Sequence, residues 1–212
     1  AFAIPLSWLN GCLSFLLMVK YLSFQKFTSM AFLHNWFRIA IDFNDRDTSL
    51  FEVQSSVYDQ KIQGKINNIK KYSNKDSKFY GKLVNWHSGG FWHYGIGLSD
   101  EYIFDLGENL DIFYKKDREI KFVQKIRHFP PDKTIQRLIH ALCCFKDWHY
   151  GFLGWNCEHY SRLVATNVAI SYQVKKSPLA FLNHGGYHPT AVQKFTDYLN
   201  HLGLSELTMF DH

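Results

Sequence analysis

The chain has 212 residues, which at about 150 residues per domain favours one domain with additions over two complete ones. Apolar types supply 46% of it and aromatics 17%, against 20% charged, so a disordered or mucin-like chain is excluded. The net charge of +5 is unevenly spread, because Lys61, Lys65, Lys70, Lys71, Lys75, Lys78 and Lys82 are accompanied only by Asp76. That run suits a solvated face or an anionic membrane surface. It holds too few arginines and aromatics for nucleic-acid readout.

Residues 1–19 contain no charged side chain. Their length borders on a membrane span, but Pro5, Asn10 and Gly11 interrupt the apolar run and no basic segment precedes it. A core or membrane-surface helix, a span or anchor, and a signal-like leader all fit. The simplest division of the chain makes residues 1–52 an apolar helical extension able to contact a membrane, and 53–83 a basic linker or amphipathic helix. Within the latter, Ile62, Ile66 and Ile69 recur at i, i+4 and i+7, which predicts a helix with the lysines mostly off its apolar stripe.

From residue 84 the texture changes to strands, expected at about 91–98, 102–106 and 120–126, with Ser99-Asp100 marking a hairpin and a meander as the simplest order. After Pro130-Pro131, Asp132 is placed to cap a helix carrying Thr134, Ile135, Leu138, Ile139, Leu142 and Cys143 at a 3.6-residue period. Asn156 and Cys157 open a second helix with Tyr160, Leu163, Val164 and Val168 inward. A third begins at His188-Pro189-Thr190 and ends near Gly203. Strands first and helices second make an α+β domain over residues 84–212.

The four cysteines lack zinc-site spacing, and two of them, Cys143 and Cys144, are adjacent, so free thiols in a reducing or mixed compartment are expected, with no metal. Cys157 differs from the others in its position at a helix start, where unpaired N–H groups favour a thiolate. A thiolate that does acyl chemistry needs a base, and His93, mid-strand beside Gly95 and Gly97, is the best partner. With Leu98-Ser99-Asp100 as a three-residue loop, Asp105 becomes the direct cross-strand neighbour of His93. Glu158 and His159 are expected to serve the helix start rather than the chemistry. Phe91, Trp92, Tyr94, Trp148 and Trp155 either line an apolar acyl-chain groove or fill the core.

The block Asn156-Cys157-Glu158-His159-Tyr160, with Tyr150 upstream and the strand His93-Tyr94-Gly95-Ile96-Gly97-Leu98-Ser99-Asp100, resembles the lecithin:retinol acyltransferase family, within the circularly permuted papain-like thiol enzymes that include NlpC-type peptidases. The resemblance covers about residues 84–172. It implies a papain-like, circularly permuted fold in which a sheet of short antiparallel strands packs on helices and the nucleophile sits at a helix N-terminus. It further implies Cys157 as nucleophile, His93 as base, and Tyr150 near the oxyanion. Where the family usually carries a second histidine, twelve residues after the first, this chain has Asp105, which can orient an imidazole instead.

The resulting expectation is a cofactor-free thiol acyltransferase or hydrolase acting on phospholipid or another acyl ester through a Cys157 thioester. Such an enzyme would lie in the cytoplasm or at a membrane surface facing it. The alternatives are a papain-like peptidase or amidase and a non-catalytic membrane-associated binding module.

Overall fold

The computed structural model describes residues 55–210, apart from Gly89, 107–110, 116–117, 124–125, His149, Phe152 and Leu179. The expectations for residues 1–52, and for Cys12 among the thiols, lie outside the described residues. What is described belongs to one compact unit spanning Ile41–His212. It is mixed α+β, with one five-stranded antiparallel sheet and several helices.

Helix α1 (Ser55–Tyr72) forms where the isoleucine period places it, and Ile62, Ile66 and Ile69 are buried in the main core. The basic segment is therefore an integral part of the unit rather than a free linker. The strands β1 (Leu83–Ser88), β2 (Phe91–Gly97), β3 (Tyr102–Asp105), β4 (Asp111–Tyr114) and β5 (Lys121–Phe122) lie in the order β4-β3-β2-β1-β5. The first four make a meander, but β1 and β4 are additions to the expected strands, and the strand expected over 120–126 forms only at Lys121–Phe122 and lies outside the meander. The chain then crosses to the far edge, where β5 pairs with β1.

Two clusters flank the sheet. Leu83, Tyr94, Ile96 and Phe104 belong to the main core, shared with the helices, whereas Val84, Trp86 and Ile103 join Phe79 in a smaller cluster on the other face. This assignment follows the period-two alternation of side chains, since Leu83 pairs with Ile96 and Trp86 with His93.

On the main-core face lie α2 (Pro131–Cys144), α3 (Cys157–Thr166), the short α4 (Tyr172–Lys175) and α5 (Pro189–His201). Helix α2 starts at Pro131 with Pro130 in the capping position and no side-chain cap. Asp132 is not the cap: it stands in the first turn, where its carboxylate accepts a hydrogen bond from the Tyr80 hydroxyl at 2.8 Å and pairs with Lys75 at 2.7 Å. Proline at the first helical position needs no donor for its missing N–H, which accounts for the shifted boundary.

Every residue of α3 is buried. Its last turn would leave carbonyls without partners in an apolar setting, and Arg137 of α2 supplies the donors. The guanidinium donates from Nε to Val164 O at 2.7 Å, and from Nη2 to Leu163 O at 2.7 Å and to Asn167 Oδ1 at 2.8 Å. Nη1 reaches Leu207 O. Asn167 ends the helix in the left-handed region at φ 60°, a conformation that asparagine tolerates better than most residues. Val168, expected on the inner face, falls beyond this turn and is 42% exposed.

Replacing Arg137 by methionine is expected to lower stability by at least about 3 kcal/mol, since several buried carbonyls lose a charged donor. Lysine is expected to rescue little of the loss, because one ammonium cannot span acceptors on α3 and on the C-terminal segment together. Urea unfolding of the two variants beside the parent checks both outcomes; a lysine variant of parental stability would contradict them.

Candidate active site

Asn156 caps α3 as expected: its side-chain oxygen accepts from the N–H groups of Glu158 at 3.1 Å and His159 at 3.2 Å. Cys157 is thereby fixed at the first helical position, 3% exposed. The Tyr150 hydroxyl donates to its sulfur at 3.9 Å. The Cys157 backbone N–H is turned toward the same hydroxyl, and the Tyr94 N–H toward the sulfur. Two donors thus converge beside the thiol, from Tyr150 and from the Cys157 main chain.

The position of Tyr94 explains how a helix start reaches a sheet. Strand β3 ends at Asp105, opposite Gly95, so it offers no ladder partner to Tyr94 and Trp92, the next residues of β2 whose main-chain groups face that edge. Ile96 pairs with Phe104, and two residues back Cys157 takes the next main-chain donor, that of Tyr94. Two residues further back the side-chain amide of Gln173 takes both groups of Trp92, donating to its carbonyl at 2.7 Å and accepting from its N–H at 3.0 Å. No sequence signal pointed to Gln173.

The register differs from the expectation by one turn position. The Leu98 and Ser99 N–H groups both bond to Tyr102 O, at 2.9 and 3.2 Å, so the loop is Ser99-Asp100-Glu101. Ser99 Oγ holds it there by accepting from the N–H groups of Glu101 at 3.2 Å and Tyr102 at 3.1 Å. Asp105 consequently pairs with Gly95 and is diagonal to His93, not directly opposite it. The two keep a common face by alternation, because moving a three-residue loop by one position shifts the partner by two.

That face is the one carrying Trp86, on which the His93 ring stacks with centroids 5.6 Å apart. Burial chiefly, and then the charge of Arg118, lower the His93 pKa, leaving a neutral ring at neutral pH. The groups that shift the Cys157 thiol are instead Asp105, Tyr94, Tyr150 and Glu158. The structure therefore brings Cys157 and Tyr150 into contact, with the Asp105 charge felt at the thiol, while the His93 ring is held against Trp86 on the face that it shares with Asp105. Nor is the space above the glycines open: a Cβ on Gly95 would meet Phe104 O at 2.3 Å and Ile103 Cγ2 at 3.0 Å.

The helix start does not make Cys157 a thiolate. Burial, followed by the Asp105 charge, pushes its pKa up to about 12, against the opposing hydrogen bonds from Tyr94 and Tyr150. Cys144 is likewise pushed up to about 12 by burial. Cys144 and Cys157 are free thiols.

Glu158 and His159 hold the helix start in place. Glu158 is fully buried and accepts from Arg162 Nε at 3.0 Å, from Ser171 Oγ at 2.9 Å and from the Gln173 N–H at 3.2 Å. The i, i+4 spacing of Glu158 and Arg162 was readable in the sequence; their complete burial was not. His159 lies between Asn156 Oδ1 at 3.1 Å and Gly186 O at 2.9 Å. Burial is the main cause that lowers its pKa to about 3, so the neutral ring donates to one of these oxygens.

Of the aromatic residues proposed to line a groove, Tyr94 and Trp155 are core, Trp148 packs edge-on against Trp155 at 4.9 Å, and Trp92 is exposed. Among the described residues no group of His, Cys, Asp or Glu is placed to hold a metal ion. The chain matches no protein-family model, and no curated protein or solved structure is detectably similar to it.

Two outcomes follow. Alkylation of native Cys157 should rise about tenfold per pH unit from pH 7 to 10 without a plateau, as thiolate reactivity does below a pKa near 12. Mass-spectrometric mapping of the modified cysteine reads this; a plateau near neutrality would instead reveal a thiolate and imidazolium pair. Second, His159 is neutral when folded and titrates near 6.5 when unfolded, so its contribution is complete above pH 6.5 and lost as pH falls toward 3. Unfolding at pH 5 should take up about one proton through this residue, with further uptake from His93, His128 and His140, whose pKa values are also lowered. Urea midpoints that increase as pH drops from 6.5 to 4.5 would contradict this.

Proposed function

We propose that the chain is a cofactor-free thiol-dependent acyltransferase or hydrolase of the lecithin:retinol acyltransferase type, with a papain-like, circularly permuted arrangement and Cys157 as nucleophile. The observation that carries the reading is the pairing of the Cys157 thiol with the Tyr150 hydroxyl at 3.9 Å at the capped start of α3, with the Cys157 N–H converging on the same place. Attack of sulfur on an acyl carbonyl would develop an oxyanion that these two donors can stabilise. The carbonyl then re-forms as the alcohol leaves, giving a thioester that passes its acyl group to an alcohol, an amine or water.

Proton handling falls to His93, whose neutral ring has the acceptor that the step requires. To reach the thiol it must leave Trp86, its cross-strand neighbour on β1, and pass round to the edge of β2 that β3 leaves. Asp105, diagonal to it, would hold the imidazolium by charge. Substrate binding that keeps the thiol desolvated would still require this proton transfer before attack.

Contact with an anionic membrane surface, on this reading, would be electrostatic. Lys61, Lys70, Lys71 and Lys78 are exposed while the isoleucines of α1 are committed to the core. Among the described residues no helix is long and apolar enough to cross a membrane.

A second reading, a non-catalytic binding module that keeps the scaffold, is favoured by the stacking of His93 on Trp86 and by the buried, protonated thiol. Incubation with phosphatidylcholine followed by intact-mass analysis separates the two. Acyl transfer predicts a hydroxylamine-labile mass gain that is absent in Cys157→Ser and His93→Ala and reduced at least about tenfold in Tyr150→Phe, the loss typical of one oxyanion donor. An adduct that forms equally well in His93→Ala removes the base assignment. No adduct with any acyl ester or peptide ester supports the binding module.

A further inference from the structure

Residues 171–178 and 180–187 form a strap closed at its base. Ile170 bridges to Tyr187, and the Ser171 N–H donates to Gly186 O at 2.8 Å. Its inner contacts flank Cys157 on both sides. Asn156 Nδ2 donates to Ser171 Oγ at 3.4 Å, Ser171 Oγ and the Gln173 N–H donate to Glu158 Oε2, and His159 Nε2 lies against Gly186 O. The Ser171 and Asn156 contacts are buried, within a network tied to the salt bridge between Glu158 and Arg162.

The outer contact is of another kind. The Gln173 amide meets the Trp92 main chain in two solvent-exposed hydrogen bonds and so imitates one residue of a neighbouring strand at an edge that β3 has left. Trp92 and Tyr172, the aromatic residues beside this contact, are 39% and 41% exposed, so these rings do not shield the Gln173 amide from solvent, whereas the adjacent Val174 is buried. Solvent-exposed hydrogen bonds open locally at low free energy, whereas the buried set opens only with the fold. One position along the same edge, the Tyr94 N–H is turned toward the Cys157 sulfur.

We propose that the strap is a lid over Cys157, with Gln173 as its latch on the free edge of β2 and the Ser171–Glu158 contacts as its hinge. Releasing the amide from Trp92 frees the edge strand up to Tyr94 and admits solvent to the sulfur while the hinge and the core stay in place. The lid sets how often the thiol is reachable, whatever chemistry Cys157 performs, so the inference goes beyond acyl transfer and does not stand or fall with it.

The test is thiol accessibility in the native full chain. Gln173→Ala removes both hydrogen bonds, and Gln173→Glu keeps the shape but sets a carboxylate oxygen against the Trp92 carbonyl. Iodoacetamide labelling at fixed pH, read cysteine by cysteine, is compared with the parent, with buried Cys144 as the internal control for global unfolding. Both variants are expected to raise the Cys157 rate about tenfold while Cys144 and the melting midpoint stay unchanged. An unchanged Cys157 rate in both variants overturns the proposal, because the latch then guards nothing. Parallel acceleration of Cys157 and Cys144 overturns it equally, because the contact is then a support of the whole fold.

Discussion

A ten-residue helix with no exposed residue sets the terms for the rest of this structure. Each end of a helix leaves main-chain groups without internal partners, and water cannot reach those of α3. At its start the Asn156 oxygen accepts two of the orphan donors, and Glu158 adds a carboxylate in the first turn, favoured there by the dipole. At its end the Arg137 guanidinium covers carbonyls of Leu163 and Val164 as a cation, again with the sign the dipole favours. Arg137 faces no carboxylate in these contacts. Burial lowers its pKa to about 9, still charged at neutral pH, and the rings of Phe129 and Phe195 at 4.3 and 4.9 Å offer their faces to it.

The same constraint fixes the state of the thiol. A helix N-terminus stabilises a negative charge by about 0.3–1 kcal/mol, and up to about 2 in partly buried geometries. At about 1.4 kcal/mol per pKa unit, that lowers a thiol by about one unit. Removal from water acts in the opposite direction, and with the Asp105 charge it carries Cys157 from 9.0 to about 12. Burial wins by a wide margin because the helix that supplies the favourable N–H groups is also the element packed most deeply. A reactive Cys157 therefore requires either solvent or a proton acceptor brought to it.

Elements with one clear periodicity were legible in the sequence. The isoleucines of α1, the Asn156 cap and the His188-Pro189 start of α5 each combine a local signal with a local consequence. Strand β1 was not legible, because Leu83 faces the main core while Val84 and Trp86 face the second cluster, and a strand covered on both sides does not alternate. Strand β4 has only four residues, Asp111–Tyr114. The burial of Arg137 was hidden for another reason: a lone arginine on a helix reads as solvated unless the carbonyls awaiting it are known, and they lie on another helix. In the candidate site, the residues contributed by α3 and its approach were legible, whereas the placement of His93 depended on which cluster each face of β2 would meet.

Register shows how small a cause decides such a question. A three-residue loop centred on Ser99 or on Asp100 has the same length and preserves the faces of both strands, so composition does not distinguish them. The Ser99 hydroxyl does, by accepting two N–H groups on its C-terminal side and drawing the turn one residue along. That displacement sets Asp105 against Gly95 and ends β3 there, leaving Tyr94 and Trp92 of β2 with outward main-chain groups and no strand to bond them. Unpaired groups at a partly buried edge have to be satisfied, and Cys157 and Gln173 are what the fold places there. The turn chemistry of one serine thus determines that a thiol, rather than a further residue of β3, meets the central strand at Tyr94.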